Sequence, residues 1–338
     1  MSSHQIKAFA NSDTPGKFKI DTRDVGKLND FDLLIEIQAA GICHTDCLFL
    51  QMNGKVLGHE SVGYVKEVGP QVKDFKKGDY VGYSYLKSSC LMCDLCVSGR
   101  DVFCKERVMF PGNDNNNGFA DGVVVDARFS YHIPREIEPK NAAPLLCAGV
   151  TVFNALFSNN VSPTQSIGVV GIGGLGHLAL QFANKWGCNV TALSGNPSKK
   201  EEAISFGAHE FLNTKDIAKP GFAETAPKFD YILNTTSADL HYDDYMNLLK
   251  PEGQFLVIGV PSKPVEVSNL FGVIQNMWGL RGVLTGSRTA YREMLKFAAR
   301  HKIKPQLEEY PFSIEGLEEA IDRCEKSEVR YRAVLVKK

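Results

Sequence analysis

The rhythm of apolar and polar positions changes near the middle of the chain. Before residue 150 the apolar runs are short and rich in β-branched residues, as in Leu33-Leu34-Ile35-Glu36-Ile37 and Val62-Gly63-Tyr64-Val65, which is strand composition. Gly58, Gly69, Gly78 and Gly82 punctuate this region like turns and tight barrel corners. Lys77-Gly78-Asp79-Tyr80-Val81 predicts a turn feeding a strand, and the polar stretch 113–118 predicts a loop ahead of a strand over 122–126. From Ser166 onward, apolar strands alternate with helix-period segments. The pattern predicts strands over 167–171, 189–194, 229–233 and 254–259, and helices over 175–186, 199–207 and 242–249. Such alternation predicts βαβ units, with a parallel sheet covered by helices on both faces. Beyond residue 288 it loosens into helices over 290–301 and 314–324 and a closing strand over 332–336. This tail is expected to return to the first domain.

One turn in the second half carries chemistry. Gly171-Ile172-Gly173-Gly174-Leu175-Gly176 follows an apolar strand and opens an amphipathic helix, the context in which G-x-G-x-x-G binds a dinucleotide. Gly171 permits the turn, Gly173 lets a pyrophosphate approach the backbone, and Gly176 lets helix and strand pack closely. The helix start offers unpaired N–H groups to the phosphates. An NAD site wants an acidic residue roughly 20 positions further on. Here the strand ends in Ser194-Gly195-Asn196, followed by Lys199 and Lys200. Hydroxyl and amide donors with a nearby ammonium suit a 2′-phosphate, so NADP(H) is favoured over NAD(H). The alternative is that the two lysines only solvate a helix start.

A chain of 338 residues is long enough for two domains. A net charge of −1 gives no electrostatic reason for a nucleic-acid partner. No apolar stretch reaches the roughly 18 residues of a membrane span, and the start lacks the basic-then-apolar pattern of a signal peptide. A soluble cytoplasmic protein is the expectation, and nine cysteines then need another role than disulfides. Cys90, Cys93, Cys96 and Cys104 have the spacing C-x2-C-x2-C-x7-C. Four thiolates so close complete a tetrahedral zinc and leave no open position, which predicts a structural site. Iron–sulfur ligation fits less well: Lys105, not proline, follows Cys104, and the last gap is seven residues. Cys47, Cys188 and Cys324 are expected to be ordinary small side chains. Gly41-Ile42-Cys43-His44-Thr45-Asp46, Gly58-His59-Glu60 and Cys147 bring further donors. Taken singly, each is more often plain structure than a ligand.

The motifs together resemble the zinc-dependent medium-chain alcohol dehydrogenases, and most of all the cinnamyl alcohol dehydrogenase-like subgroup. The likeness spans nearly the whole chain. It rests on the segments just named and on 144–151 (Pro-Leu-Leu-Cys-Ala-Gly-Val-Thr) and Val329-Arg330-Tyr331-Arg332. It implies an α/β protein: a GroES-like β-barrel catalytic domain (1–150 and 289–338, with the zinc lobe at 88–105) plus a Rossmann doubly wound parallel-sheet domain (151–288). It implies that Cys43, His59 and Cys147 bind a catalytic zinc, with Glu60 an alternate ligand and Asp46 orienting a ligand. Thr45 is implied as the proton relay, Thr151 at the nicotinamide, and His44 and Arg332 near the pyrophosphate. The implied activity is alcohol–aldehyde interconversion, the implied substrates being aromatic or medium-chain aldehydes, with two zinc ions per chain, NADP(H), a small-molecule substrate and a homodimer.

Two departures stand out. Leu48 occupies the place where many relatives carry a relay histidine, and the segment between Cys43 and His59 is shorter than usual for the family. Two rivals remain: an NAD-dependent polyol or alcohol dehydrogenase, and a non-catalytic NADPH-binding zinc protein such as a redox sensor.

Overall fold

The computed structural model describes residues 4–337. The chain divides into two compact units, one formed by residues up to Val150 together with those from Thr285 onward, the other by Thr151–Leu284.

The first unit is built on a mostly antiparallel sheet. Its strands run in the order Leu307–Pro311, Arg332–Val336, Asp32–Ile42, Glu60–Val68, Tyr80–Tyr83 and Ser130–His132. On the edge away from Glu60–Val68, Asp32–Ile42 has two neighbours: its first half pairs with Gly122–Asp126 and its second half with Arg332–Val336. The buried face of that central strand comes from Leu33, Ile35 and Ile37, which pack with Val65, Val81, Tyr83 and Val123. A second core beside the hairpin Gln5–Asn11/Phe18–Asp24 takes Leu34, Ala40 and Ile42 together with Leu317 and Ile321 of the helix Ile314–Glu325. Both faces of the strand are therefore covered, as its near-continuous apolar sequence requires.

Register decides the function of this sheet. Gly41 pairs with Glu60 and Ala333 with Ile42. Cys43, just past the end of one strand, His59, just before the next, and Arg332, opening a third, therefore meet at one end of the sheet. A helix, Pro139–Pro144, packs over the same three strands. It passes through one π-helical turn, Leu145–Gly149, into the helix Val150–Phe157. Pro144 lacks the N–H a regular helix needs there, and the widened turn absorbs the mismatch.

The second unit is a parallel sheet of six strands. In chain order these are Ser166–Val170, Asn189–Ser194, Glu210–Asn213, Phe229–Asn234, Leu249–Val257 and Gly279–Gly282, arranged spatially 3-2-1-4-5-6. The order reverses between the first and fourth strands, and the Gly171–Gly176 turn leaves the carboxyl end of the first, the place where such sheets bind ligands. Two expected helices are shorter than their periodicity suggested. Residues 197–199 form a 3₁₀ turn ahead of Lys200–Ser205. The helix at 242 stops at Met246 because Leu249 is already paired with Phe229 in the sheet. Among the described residues no helix is long and apolar enough to cross a membrane.

Candidate functional site

Cys43 caps a one-turn helix, His44–Cys47: its sulfur accepts from the Thr45 N–H at 3.5 Å, while its own N–H donates to Asp46 Oδ2 at 2.9 Å. Asp46 is fully buried and ties the site together. Its Oδ1 accepts the Gly58 N–H at 3.0 Å and lies 3.2 Å from His59 Nδ1. A carboxylate can only accept, so Nδ1 carries the proton and Nε2 presents its lone pair. Among the described residues that Nε2 has no hydrogen-bond partner, although His59 is 1% exposed.

The sulfurs of Cys43 and Cys147 are 4.0 Å apart, and ligand atoms of Cys43, His59, Glu60 and Cys147 all lie within 4.8 Å of one another. Cys147 shares its proton with Cys43 and is raised by that bond; the same bond chiefly holds the Cys43 thiol well below its ordinary value. Burial works against a charged His59, but the Asp46 carboxylate and the Cys43 sulfur outweigh it and raise the imidazole. Burial pushes Glu60 up to about 7, against the pull of the Arg332 guanidinium that pairs with it. Two thiols and an imidazole whose Nε2 has no hydrogen-bond partner, converging in one place, are what a dication accommodates by displacing protons. The residues present therefore fit a metal ion. Cys43 and Cys147 are only half-buried, so the donor set is open on the thiol side.

Other predicted residues sort clearly. The Thr45 hydroxyl oxygen accepts from the Cys43 thiol at 3.5 Å. His44 and Leu48 are exposed. Arg332 is buried against Glu60, and its Nε has no partner among the described residues. Thr151 is buried in the helix after the π-turn. The four cysteines of the lobe are brought together, with Sγ separations of 3.8 Å (Cys90–Cys96), 3.6 Å (Cys93–Cys96) and 3.5 Å (Cys90–Cys104). Backbone N–H groups of Met92 and Cys93 lower the Cys90 thiol to about 7, which favours the thiolate that a metal needs.

In the Gly171–Gly176 turn, a Cβ on Gly176 would sit 1.8 Å from the Gly171 carbonyl oxygen, whereas one on Gly173 would meet nothing within 4 Å. The first glycine is needed for packing and the second leaves space for a ligand, so the turn fits a pyrophosphate. Gly174 and Leu175 complete that turn ahead of the helix Gly176–Trp186. Lys199 Nζ donates to the Ile172 carbonyl in the same turn at 2.6 Å. Ser194, nearly buried, accepts the Asn196 N–H at 3.3 Å, with Gly195 between them.

Sequence reasoning missed a supporting layer. The Ser84 hydroxyl donates to the Leu146 carbonyl and lies 2.9 Å from the Tyr291 hydroxyl, which lies 2.7 Å from Thr285 Oγ1. This chain of hydroxyls holds the turn that carries Cys147. Phe110 and Tyr85 flank His59 with ring centroids at 4.6 and 5.6 Å. No local motif marks any of these residues.

The comparisons with known proteins agree with this fold. Residues 29–135 match the alcohol dehydrogenase GroES-like domain and residues 174–300 the zinc-binding dehydrogenase domain. The chain is 37% identical to a probable formaldehyde dehydrogenase of Bacillus subtilis, covering 98% of this chain and 97% of that protein. The chain belongs to the zinc-binding alcohol dehydrogenase family. An aldehyde reductase of Synechocystis is 34% identical over 98% of both chains. A cinnamyl alcohol dehydrogenase structure from Sorghum bicolor superposes with a TM-score of 0.90 at 35% identity, covering 98% of each chain. A Helicobacter pylori cinnamyl alcohol dehydrogenase structure complexed with NADP(H) gives 0.87 at 28% identity over 99% of each. The family fold, a GroES-like domain with a Rossmann-type sheet, is the fold described above.

Proposed function

We propose that this family member is a zinc-dependent oxidoreductase interconverting primary alcohols and aldehydes by hydride transfer with NADP(H). The observation that carries the proposal is the buried His59 Nε2, without a hydrogen-bond partner among the described residues, gathered with the sulfurs of Cys43 and Cys147. Those three residues would hold one zinc and Cys90, Cys93, Cys96 and Cys104 a second, structural one. When bound, the first zinc supplies Lewis acidity toward a carbonyl oxygen and NADPH supplies the hydride. The chain's own residues do the rest. Asp46 fixes the His59 tautomer and ring orientation. The Thr45 hydroxyl, which can donate and accept at once, passes the proton that completes the alcohol. Leu48 has no titratable group, so that proton reaches Thr45 by a route other than residue 48. Arg332 holds Glu60 by an ion pair, and Glu60 could serve as an alternate ligand only on leaving it. Tyr85 and Phe110 place aromatic walls beside the donors, which favours apolar aldehydes. Metal analysis with an NADPH-oxidation assay over aromatic and straight-chain aldehydes tests the reading. Two zinc per chain with turnover are expected, and inertness toward every aldehyde overturns it.

The first unit is proposed as the catalytic domain and the second as the cofactor domain. For the cofactor, Ser194, Gly195 and Lys199 support NADP(H), with Gly171 to Gly176 at the pyrophosphate, Thr151 at the nicotinamide, and His44 and Arg332 toward the pyrophosphate. Ser194→Asp would set a carboxylate against the 2′-phosphate. Like charges brought together cost several kcal/mol, so kcat/KM for NADPH should fall about 100-fold while NADH use holds or rises. Unchanged NADPH preference in steady-state kinetics would remove this assignment. A homodimer is supported by the edge strand Gly279–Gly282 and the exposed Leu270, Phe271 and Ile274 of the helix Leu270–Asn276. Light scattering should return twice the chain mass, and a monomer at micromolar concentration would refute it.

A further inference from the structure

Two of the cysteines expected to be ordinary small side chains are brought together by the fold. Cys47 ends the one-turn helix His44–Cys47, and Cys324 lies near the end of Ile314–Glu325, which packs against that turn. One ring nitrogen of His44 and the sulfurs of Cys47 and Cys324 all lie within 4.8 Å of one another. The same bound encloses the donors of the two clusters already described. Ligands of a tetrahedral zinc stand about 3.6–3.8 Å apart, so small rotamer adjustments would bring this trio to coordination distance. The thiols are half-buried and His44 is exposed, which leaves an entry path from solvent.

We propose that His44, Cys47 and Cys324 form a third metal site, selective for a thiophilic cation of the zinc class, beside the catalytic turn. Two sulfurs and an imidazole are the donor types zinc takes, and calcium and magnesium prefer oxygen. A hydrogen bond between the two thiols chiefly lowers Cys324 and raises Cys47, so one donor of the pair already favours the thiolate form and the other gives up its proton on binding the metal. The Asp46 and Glu325 carboxylates act on Cys47 and favour a cation there, while Arg332, which acts on Cys324, opposes it. Three protein ligands leave a corner for water, so binding should be reversible and weaker than at the four-cysteine lobe. The consequence rests on the function proposed above: a cation that holds the His44 ring keeps it from the pyrophosphate, so excess zinc should raise KM for NADPH.

The test uses the zinc-loaded enzyme, incubated with excess Zn²⁺, desalted and analysed for metal. Wild type is expected to keep one more equivalent than Cys47→Ser and Cys324→Ser. Mass mapping after iodoacetamide, on wild type alone, should show Cys47 and Cys324 protected only when that equivalent is present. Equal stoichiometry in all three proteins overturns the site, and so does a Cys47–Cys324 disulfide found in place of the metal. Loss of a different equivalent in Cys147→Ala separates this site from the catalytic one. An extra equivalent that leaves KM unchanged keeps the metal site and removes His44 from the cofactor contacts.

Discussion

Cys147→Ala should lose one zinc of two and, with it, aldehyde reduction. The substitution removes one of three donors from a set that already has an open side, and the remaining thiol and imidazole cannot close a tetrahedron. Lewis-acid stabilisation of a developing alkoxide is worth several kcal/mol. At about 1.4 kcal/mol per factor of ten, the expected fall in kcat/KM is at least ~10³. The fold should survive. Cys147 sits on a π-turn held by Ser84 and Leu146 rather than by its own sulfur, and an alanine there removes a donor without burying an unpaired polar group. NADPH binding, read by fluorescence titration, should be retained because the Gly171–Gly176 turn belongs to the other unit. A variant with one zinc and wild-type turnover would sink the catalytic reading.

Thr45→Val is the sharper test of mechanism. Valine keeps the shape of threonine but loses the hydroxyl that lies 3.5 Å from Cys43 Sγ. General acid–base catalysis contributes about 10²–10⁴-fold, and kcat for aldehyde reduction should fall within that range. Both zinc ions should stay, since Thr45 is not among the clustered donors. Thr45→Ser should restore most of the rate, which a purely structural role for the methyl group would not allow. Retention of more than half the wild-type kcat by the valine variant would assign the proton to another group.

The parts of the site differ in how far they could be read from the chain. The four lobe cysteines fall within 15 positions, so short loops alone bring them together and spacing suffices. The glycine turn is equally local, since its meaning comes from the strand before it and the helix after it. Cys43, His59 and Cys147 carry no such signal. The first two meet because Gly41 pairs with Glu60 across two strands, and a register shift of one residue would turn every side chain to the other face. The third arrives through a π-turn that no periodicity announces. Only the resemblance named them beforehand. Arg332 was expected near a pyrophosphate, and the ion pair with Glu60 became visible only when Arg332–Val336 was seen beside Asp32–Ile42. Cys47 and Cys324 show the same limit from the other side: 277 positions apart by their numbers (324 − 47), they look like two unrelated residues until a helix sets one against the other.

By itself, then, the sequence determined the two kinds of layer, the glycine turn between strand and helix, the four-cysteine lobe and the absence of an acidic residue at the end of the second parallel strand. Each of these depends on neighbours along the chain, where periodicity and loop length act directly. Tertiary structure decided which donors face one another, which carboxylate is tied to which cation, and which nitrogen is left without a hydrogen-bond partner among the described residues. Those outcomes depend on strand register and helix placement, which are set by burying two apolar faces at once rather than by any single segment.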